Sequence, residues 1–364
     1  MSALPLVDAL LNPAACTDWP LARWDAALRQ ARSSRLLPSL ALRLPEKLLP
    51  LHRPLQRAFH TAKVGASATS VRMRWEIDQL LPALNRVGVR PLLLKGAAYL
   101  AHGLPASNGR LFSDIDLLVP RERLAAVEDS LRYAGYVGSH LDPYDQRYYR
   151  QWMHELPPLQ HLQRLITLDV HHNILPLTAR AKPAADKLFA NAVAVPGTPF
   201  WTLSPLDMVL HSICHLFYDG EWDHALRDLW DIHQLLHHFG ADPAFWAALP
   251  GRAIELDLQR PLAYALEVLA ELFDTAIPTR TRELCAEALP GHGAALMQAL
   301  FMAGSRPDNP SCHRVRDELA RFALYLRGHY LRMPLHLLLP HLVRKALRRD
   351  EDKSTTDTDD RKKR

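Results

Sequence analysis

The sequence predicts an α+β protein: a small mixed β-sheet core carrying an N-terminal helical segment and a C-terminal helical domain. Three observations predict it. Short apolar, β-branched runs of strand length recur between residues 89 and 171. Apolar residues at helical spacing fill the stretch before them, from Pro20 to about Leu84, and the whole chain beyond Asp242. With 364 residues, 48% of them hydrophobic, the chain can bury two cores, one mixed and one helical. The expected divisions are residues 1–85, 86–200 and 201–349, followed by a charged tail, 350–364, of disordered composition.

In the first of these, Trp24, Leu28, Leu36, Leu37, Leu40 and Leu42 recur near helical spacing, and Pro45 and Pro50 interrupt them. A longer helix is expected from about 54 to 84, burying Val64, Val71, Trp75, Ile77, Leu80, Leu81 and Leu84. Val87-Gly88 then leads into a buried strand, 89–94, which ends at Lys95-Gly96; residues 95–102 begin a helix. An irregular link through Gly103, Pro105 and Gly109 reaches a second strand, 113–119, closed by Pro120. The segment 121–134 is an amphipathic helix with Leu124, Val127 and Leu131 on one face, and Gly135 stands where a C-terminal glycine cap belongs. Residues 142–164, rich in Tyr144, Tyr148, Tyr149, Trp152, His154 and His161, read as a loop and short helix over the sheet, with stacking on a base or sugar as the alternative. A further strand, 165–171, is stopped by Pro176.

Ser204-Pro205-Leu206-Asp207 is a helix start, with Ser204 as N-cap and Pro205 in the first turn. That helix carries His211, Cys214 and His215 on one face; a polar wall towards the cleft fits them better than zinc, since the Glu of His-Glu-x-x-His and a third ligand are missing. The next helix, 224–239, carries Arg227, Asp228 and Asp231, read as pairing within and between helices. Beyond it, Leu262, Tyr264, Leu266, Val268, Leu269 and Leu272 form an apolar stripe. The basic segment 331–349 suits docking on the protein's own helices or weak contact with an anionic membrane or a partner.

The chemistry centres on the second strand. Side chains alternate along a strand, so Asp114 and Asp116 share a face, backed by the apolar run Leu117-Leu118-Val119. Two carboxylates shielded in this way repel unless a cation lies between them, which makes the pair a divalent metal site. Upstream, strand, glycine turn and helix N-terminus form a place for phosphate, with Gly96 admitting the backbone and Lys95 adding charge. Arg110, just before the acidic strand, holds a phosphate or is an ordinary surface arginine. Asp169 is the lone acid in Leu165-Ile166-Thr167-Leu168-Asp169-Val170-His171 and needs a partner; His171 and His172 beside it read as hydrogen-bonded neighbours rather than phosphate ligands.

These residues resemble the nucleotidyltransferase superfamily built on the DNA polymerase β-type core: a strand and glycine turn, a strand with Asp-x-Asp, and a later strand with a third acid. Leu93-Leu94-Lys95-Gly96-Ala97-Ala98, Arg110, Ser113-Asp114-Ile115-Asp116-Leu117-Leu118-Val119 and Leu131-Arg132-Tyr133-Ala134-Gly135-Tyr136 are more narrowly similar to a bacterial subgroup of uncharacterised nucleotidyltransferases. The resemblance runs from about Trp19 to near His238. Where many members of the superfamily place Gly-Ser, this chain has Lys95-Gly96-Ala97. It implies transfer of a nucleoside monophosphate from an NTP to an acceptor with release of pyrophosphate. Mg²⁺ or Mn²⁺ is then expected on Asp114, Asp116 and Asp169, and the nucleotide against Lys95, Gly96, Arg110 and Ser113. A catalytically silent nucleotide-binding or scaffold protein is the alternative; a glycosyltransferase fits less well, because only one strand-turn-helix precedes Asp114, and a haloacid-dehalogenase-type phosphatase expects Thr or Val where Leu117 stands.

A net charge of +5 with 23% charged residues does not argue for nucleic acid. Cys16, Cys214, Cys285 and Cys312 lie far apart, as in reduced thiols of a cytoplasmic protein. No signal peptide is expected at the N-terminus, and no apolar run approaches the roughly 18 residues of a spanning helix.

Overall fold

The structure, a computed structural model, describes residues 4–45, 53–138, 149, 152–312 and 314–338. Among the described residues the chain begins with the α-helices α1 (Pro5–Leu11), α2 (Leu21–Ser33), α3 (Leu37–Arg43), α4 (Arg53–Asp78) and α5 (Leu81–Arg86). Where periodicity predicts one helix over 54–84 there are two. Pro82 in the first turn of α5 has no amide hydrogen with which to continue the ladder, and the chain turns at residues 79–80. Phe59, Ala66, Met73 and Ile77 form the buried stripe of α4, which packs on α3. Val64, Val71 and Trp75, expected inside, lie on the other side and are exposed, because residues two apart sit about 200° round a helix.

Seven strands make one mixed sheet: β1 (Leu92–Leu93), β2 (Asp114–Leu118), β3 (Tyr136–Gly138), β4 (Leu159–His161), β5 (Thr167–His171), β6 (Val193–Ala194) and β7 (Trp201–Thr202), in the order β3-β4-β5-β2-β1-β7-β6. The architecture is α+β, with this sheet following the N-terminal helices and helices following it. β2 is central, antiparallel to β1 and parallel to β5, and its Ile115, Leu117 and Leu118 are fully buried. β1 is shorter than the expected 89–94, since Pro91 has no N–H to donate; its carbonyl accepts from the Trp201 amide at 3.1 Å. Between the strands run α6 (Lys95–His102) and α7 (Leu124–Tyr133). Gly135 ends the second of these at φ +91°, where a side chain would be strained and its Cβ would come within 3.1 Å of the His161 ring.

The later helices begin with Pro205–Tyr218, capped as expected by Ser204 Oγ, which accepts from the Asp207 amide at 3.3 Å. Ala225–Phe239, Pro243–Glu255, Gln259–Phe273, Thr279–Ala286, Ala294–Gly304 and Val315–Arg332 follow. The stripe from Leu262 to Leu269 is core, with Leu272 at its margin. All four cysteines are free. Among the described residues no helix is long and apolar enough to cross a membrane. Residues 331–338 lie against the body of the protein: the Arg180 amide donates to the Leu331 carbonyl (2.8 Å) and the Thr178 hydroxyl to that of Arg332 (2.7 Å). Pro50, Tyr144, Tyr148, segment 339–349 and tail 350–364 fall outside the described residues.

His233 gives this helical part a dependence on pH. The Thr275 hydroxyl donates to the Leu269 carbonyl (3.0 Å) and so receives the Nδ1 proton of His233 (2.8 Å). Burial, assisted by His237 and Arg43, pushes the imidazole's pKa down to about 4. The unfolded chain takes up this proton near its ordinary value of about 6.5, so stability is full above that value and falls as pH drops from there towards 4. Urea unfolding of His233→Gln is expected to lose about 2 kcal/mol less than wild type between pH 7 and pH 4. Parallel pH curves for the two proteins would rule this out.

Candidate active site

The antiparallel pairing of β1 with β2 brings Lys95 to the acidic strand. The Leu94 amide donates to the Asp116 carbonyl at 3.0 Å, and the next residue, Lys95, turns at φ +43°, a conformation that non-glycine residues rarely adopt. Its Nζ donates to Asp116 Oδ1 at 2.7 Å. On the other side, the parallel register sets Asp116 opposite Asp169, so both carboxylates share one face of the sheet with Asp114 at its exposed edge. Two residues beyond Asp169, His171 donates from Nε2 to Asp116 Oδ1 (3.0 Å), while its Nδ1 meets Glu155 Oε2 at 3.1 Å.

The two neighbouring acids are therefore treated differently. Burial alone would raise the pKa of Asp116, but the ammonium of Lys95 and the hydrogen bond from His171 outweigh it and hold the carboxyl well below its usual range. Burial likewise opposes charge on Lys95 and His171; Asp116 reverses this for both, with Glu155 assisting, and raises both pKa values. Asp169 has no such cation. Burial and the adjacent Asp116 push it up to about 7, and its buried Oδ1 has no hydrogen-bond partner among the described residues.

A divalent cation fits this arrangement. Lys95 and His171 both address Oδ1 of Asp116 and leave Oδ2 free of either donor. Asp169 offers its orphaned oxygen, and among the described residues exposed Asp114 is hydrogen-bonded by the Ser113 hydroxyl alone, at 3.0 Å. Such an all-oxygen set suits a hard ion of the Mg²⁺ or Mn²⁺ kind.

Above the acids opens a cleft of about 390 Å³. Lys95, Gly96, Arg110, Ser113, Asp114, Asp116 and Asp169 all line it, so the structure gathers into one cavity the seven residues to which the resemblance assigns metal or nucleotide. It also gives Lys95 and Arg110 protein partners: Arg110 is partly buried, ion-paired with Asp231, and its guanidinium lies 5.7 Å from the centre of the Tyr99 ring. A Cβ on Gly96 would stand 2.8 Å from Arg110 Nε, so here the glycine makes room for that arginine. Arg227, bound to Asp228 Oδ1 by Nε (2.9 Å) and Nη2 (2.6 Å), lines the cleft as well. His215 belongs to the same wall; burial holds it well below its usual pKa and takes His211 beside it down to about 3. His172 is buried and is not part of the lining.

Two lining residues carried no usable signal in the sequence. Glu155 stands in an irregular segment and reaches the site only because residue 155 bridges to residue 171 on β5. Arg35 enters from the turn after α2, at φ +56°, and forms no ion pair among the described residues.

Residues 20–274 match the model of a family described as "Uncharacterised nucleotidyltransferase". No curated protein and no solved structure matches the chain.

Proposed function

Since the chain belongs to this family of nucleotidyltransferases, we propose that it moves a nucleoside monophosphate from an NTP to a hydroxyl-bearing acceptor, with pyrophosphate as the leaving group. We assign it to the DNA polymerase β-type superfamily, on the strand-turn-helix before the Asp-x-Asp strand and the third acid on the strand beside it. The observation that carries the reading is the lateral pair Asp116 and Asp169, one neutralised by protein cations and the other left with a buried, unsatisfied oxygen at the floor of a cleft.

In this reading Asp114, Asp116 and Asp169 hold Mg²⁺ or Mn²⁺, which when bound withdraws charge from the phosphates and makes the acceptor hydroxyl easier to deprotonate. Lys95 and His171 keep Asp116 ionised and fix its rotamer, so the ligand set needs no rearrangement. Arg35, without a carboxylate partner among the described residues, and Arg227, tied to a single oxygen of Asp228, draw the triphosphate into the cleft that both line. Arg110, fixed by Asp231 beside Gly96, borders the glycine turn and can offer its remaining N–H groups to a phosphate, and the Ser113 hydroxyl orients Asp114. The free, mostly buried cysteines support a reducing, cytoplasmic setting.

Calorimetric titration of ATP, GTP, CTP and UTP with Mg²⁺ or Mn²⁺ tests this. One nucleotide is expected to bind only when metal is present, and Asp114→Ala/Asp169→Ala to lose that binding while Asp116, which anchors Lys95, is left untouched. Failure of all four nucleotides to bind folded protein would overturn the reading and leave a scaffold protein on the same fold.

A further inference from the structure

Beside the carboxylates lies a second group of metal donors, of different chemistry. His154, Glu155 and His171 each offer a ligand atom, and the three atoms lie within 4.8 Å of one another. We propose that this group is a separate site for a transition metal of the Zn²⁺ type, with two imidazoles and one carboxylate as ligands. The proposal concerns metal binding alone and stands whether or not the protein transfers nucleotides.

Three features of the geometry support it. The Nδ1 of His154 is buried and has no hydrogen-bond partner among the described residues, although a buried imidazole nitrogen ordinarily has one. The segment bearing it is pinned to β5: the His172 amide donates to the His154 carbonyl at 2.7 Å and the Leu156 amide to the Val170 carbonyl at 2.8 Å, on either side of the bridge from Glu155 to His171. The donor therefore stands on ordered backbone. Third, Nδ1 of His171 and Oε2 of Glu155 are already 3.1 Å apart, close to the separation of two ligands on one tetrahedral zinc.

The remaining nitrogen of His171 completes the pattern. Metal-bound imidazoles almost always donate their other N–H to a carboxylate or carbonyl, which sets the tautomer and strengthens the ligand. His171 Nε2 already donates to Asp116 Oδ1 at 3.0 Å, so Nδ1 is the nitrogen left for a metal. Without metal that nitrogen faces Glu155; with metal, both groups turn to the same ion and His154 provides the third bond. Two nitrogens and one oxygen suit Zn²⁺, Co²⁺ or Mn²⁺ far better than Mg²⁺, and a three-ligand set leaves positions open towards the cleft that Glu155 and His171 both line.

Cobalt titration of chelator-treated full-length protein, without nucleotide, tests the proposal, because Co²⁺ held by imidazoles at low coordination number absorbs visible light far more strongly than Co²⁺ held octahedrally by oxygens. One equivalent is expected to give the strong band and to be displaced by Zn²⁺. Asp114→Asn/Asp169→Asn should retain the band, whereas His154→Ala and Glu155→Gln should each weaken binding at least about 100-fold. Glu155→Gln keeps the shape of the side chain and secures the result if His154→Ala fails to fold. A band that survives in either ligand variant, that disappears with the two strand aspartates, or that wild type never shows would overturn the proposal.

Discussion

Asp169→Asn is expected to abolish nucleotidyl transfer and yet to raise the melting temperature of the metal-free protein at pH 8. The carboxyl is buried beside Asp116 and lacks a cation, so its pKa is pushed up to about 7. A raised acid contributes its full stability below the unfolded value of about 3.9 and loses it as pH rises through the folded value. At pH 8 it is ionised at a net cost, which the neutral, isosteric amide removes. After allowance for partial solvent access, the gain should be about 2 kcal/mol, or a few degrees in Tm. Added Mg²⁺ should reverse the order, because wild type gains binding energy that the variant cannot. Turnover should fall at least about 10³-fold. Asp116→Asn should also abolish turnover, but with the opposite effect on stability: it leaves Lys95 and His171 donating to an uncharged group, a loss of about 3 kcal/mol. Thermal melts of the two variants at pH 8, with and without Mg²⁺, are the check. If both shift in the same direction without metal, the charge assignment at the two acids is wrong.

A loss of stability of similar size should come from Asp207→Ala. Asp207 is fully buried one turn into the helix Pro205–Tyr218, and Arg252 of Pro243–Glu255 grips both its oxygens, Nε to Oδ1 at 2.6 Å and Nη2 to Oδ2 at 2.9 Å. The same guanidinium also reaches Glu255 Oε2 (2.6 Å) and the Lys187 carbonyl (2.9 Å), so one side chain joins two long helices to the segment Ala185–Ala190. Taking away the carboxylate leaves the buried guanidinium with the half-exposed Glu255 as its remaining counter-charge, at a cost of about 3 kcal/mol. Replacing both partners by apolar residues of similar volume, Asp207→Leu with Arg252→Met, should recover most of that loss, since the desolvation of two ions disappears with them. Urea unfolding of the single and double variants distinguishes the two contributions, and a single variant within about 1 kcal/mol of wild type would contradict the assignment.

The acid-bearing strands were legible because a strand's period of two is unambiguous: Asp114 and Asp116 had to share a face, and Asp169 was conspicuous as the lone acid in an apolar run. The cap at Ser204 was legible because its hydrogen bond spans three residues. What stayed hidden depends on contacts distant in sequence. Arg110 finds Asp231 across some 120 positions, and Lys95 becomes the counter-charge of Asp116 only once β1 and β2 lie side by side. The α+β class could thus be read without the sheet order, which is set by non-local pairing. Likewise, α4 has two apolar stripes, and sequence alone does not say which one faces α3; Phe59, Ala66, Met73 and Ile77 took that side and left Trp75 outside.

The hold of Lys95 and His171 on Asp116 bears on how such a protein matures in the cell. In small metal-dependent domains the ion is part of the folding nucleus, and the newly made chain stays unstructured until it is supplied. Here the more deeply buried acid brings its own counter-ions, one from the turn after β1 and one from β5, so strand assembly need not wait for metal. Under the proposed function the ion would be a late arrival to a finished scaffold, and scarcity of magnesium or manganese would leave a folded, idle reserve of protein rather than aggregates.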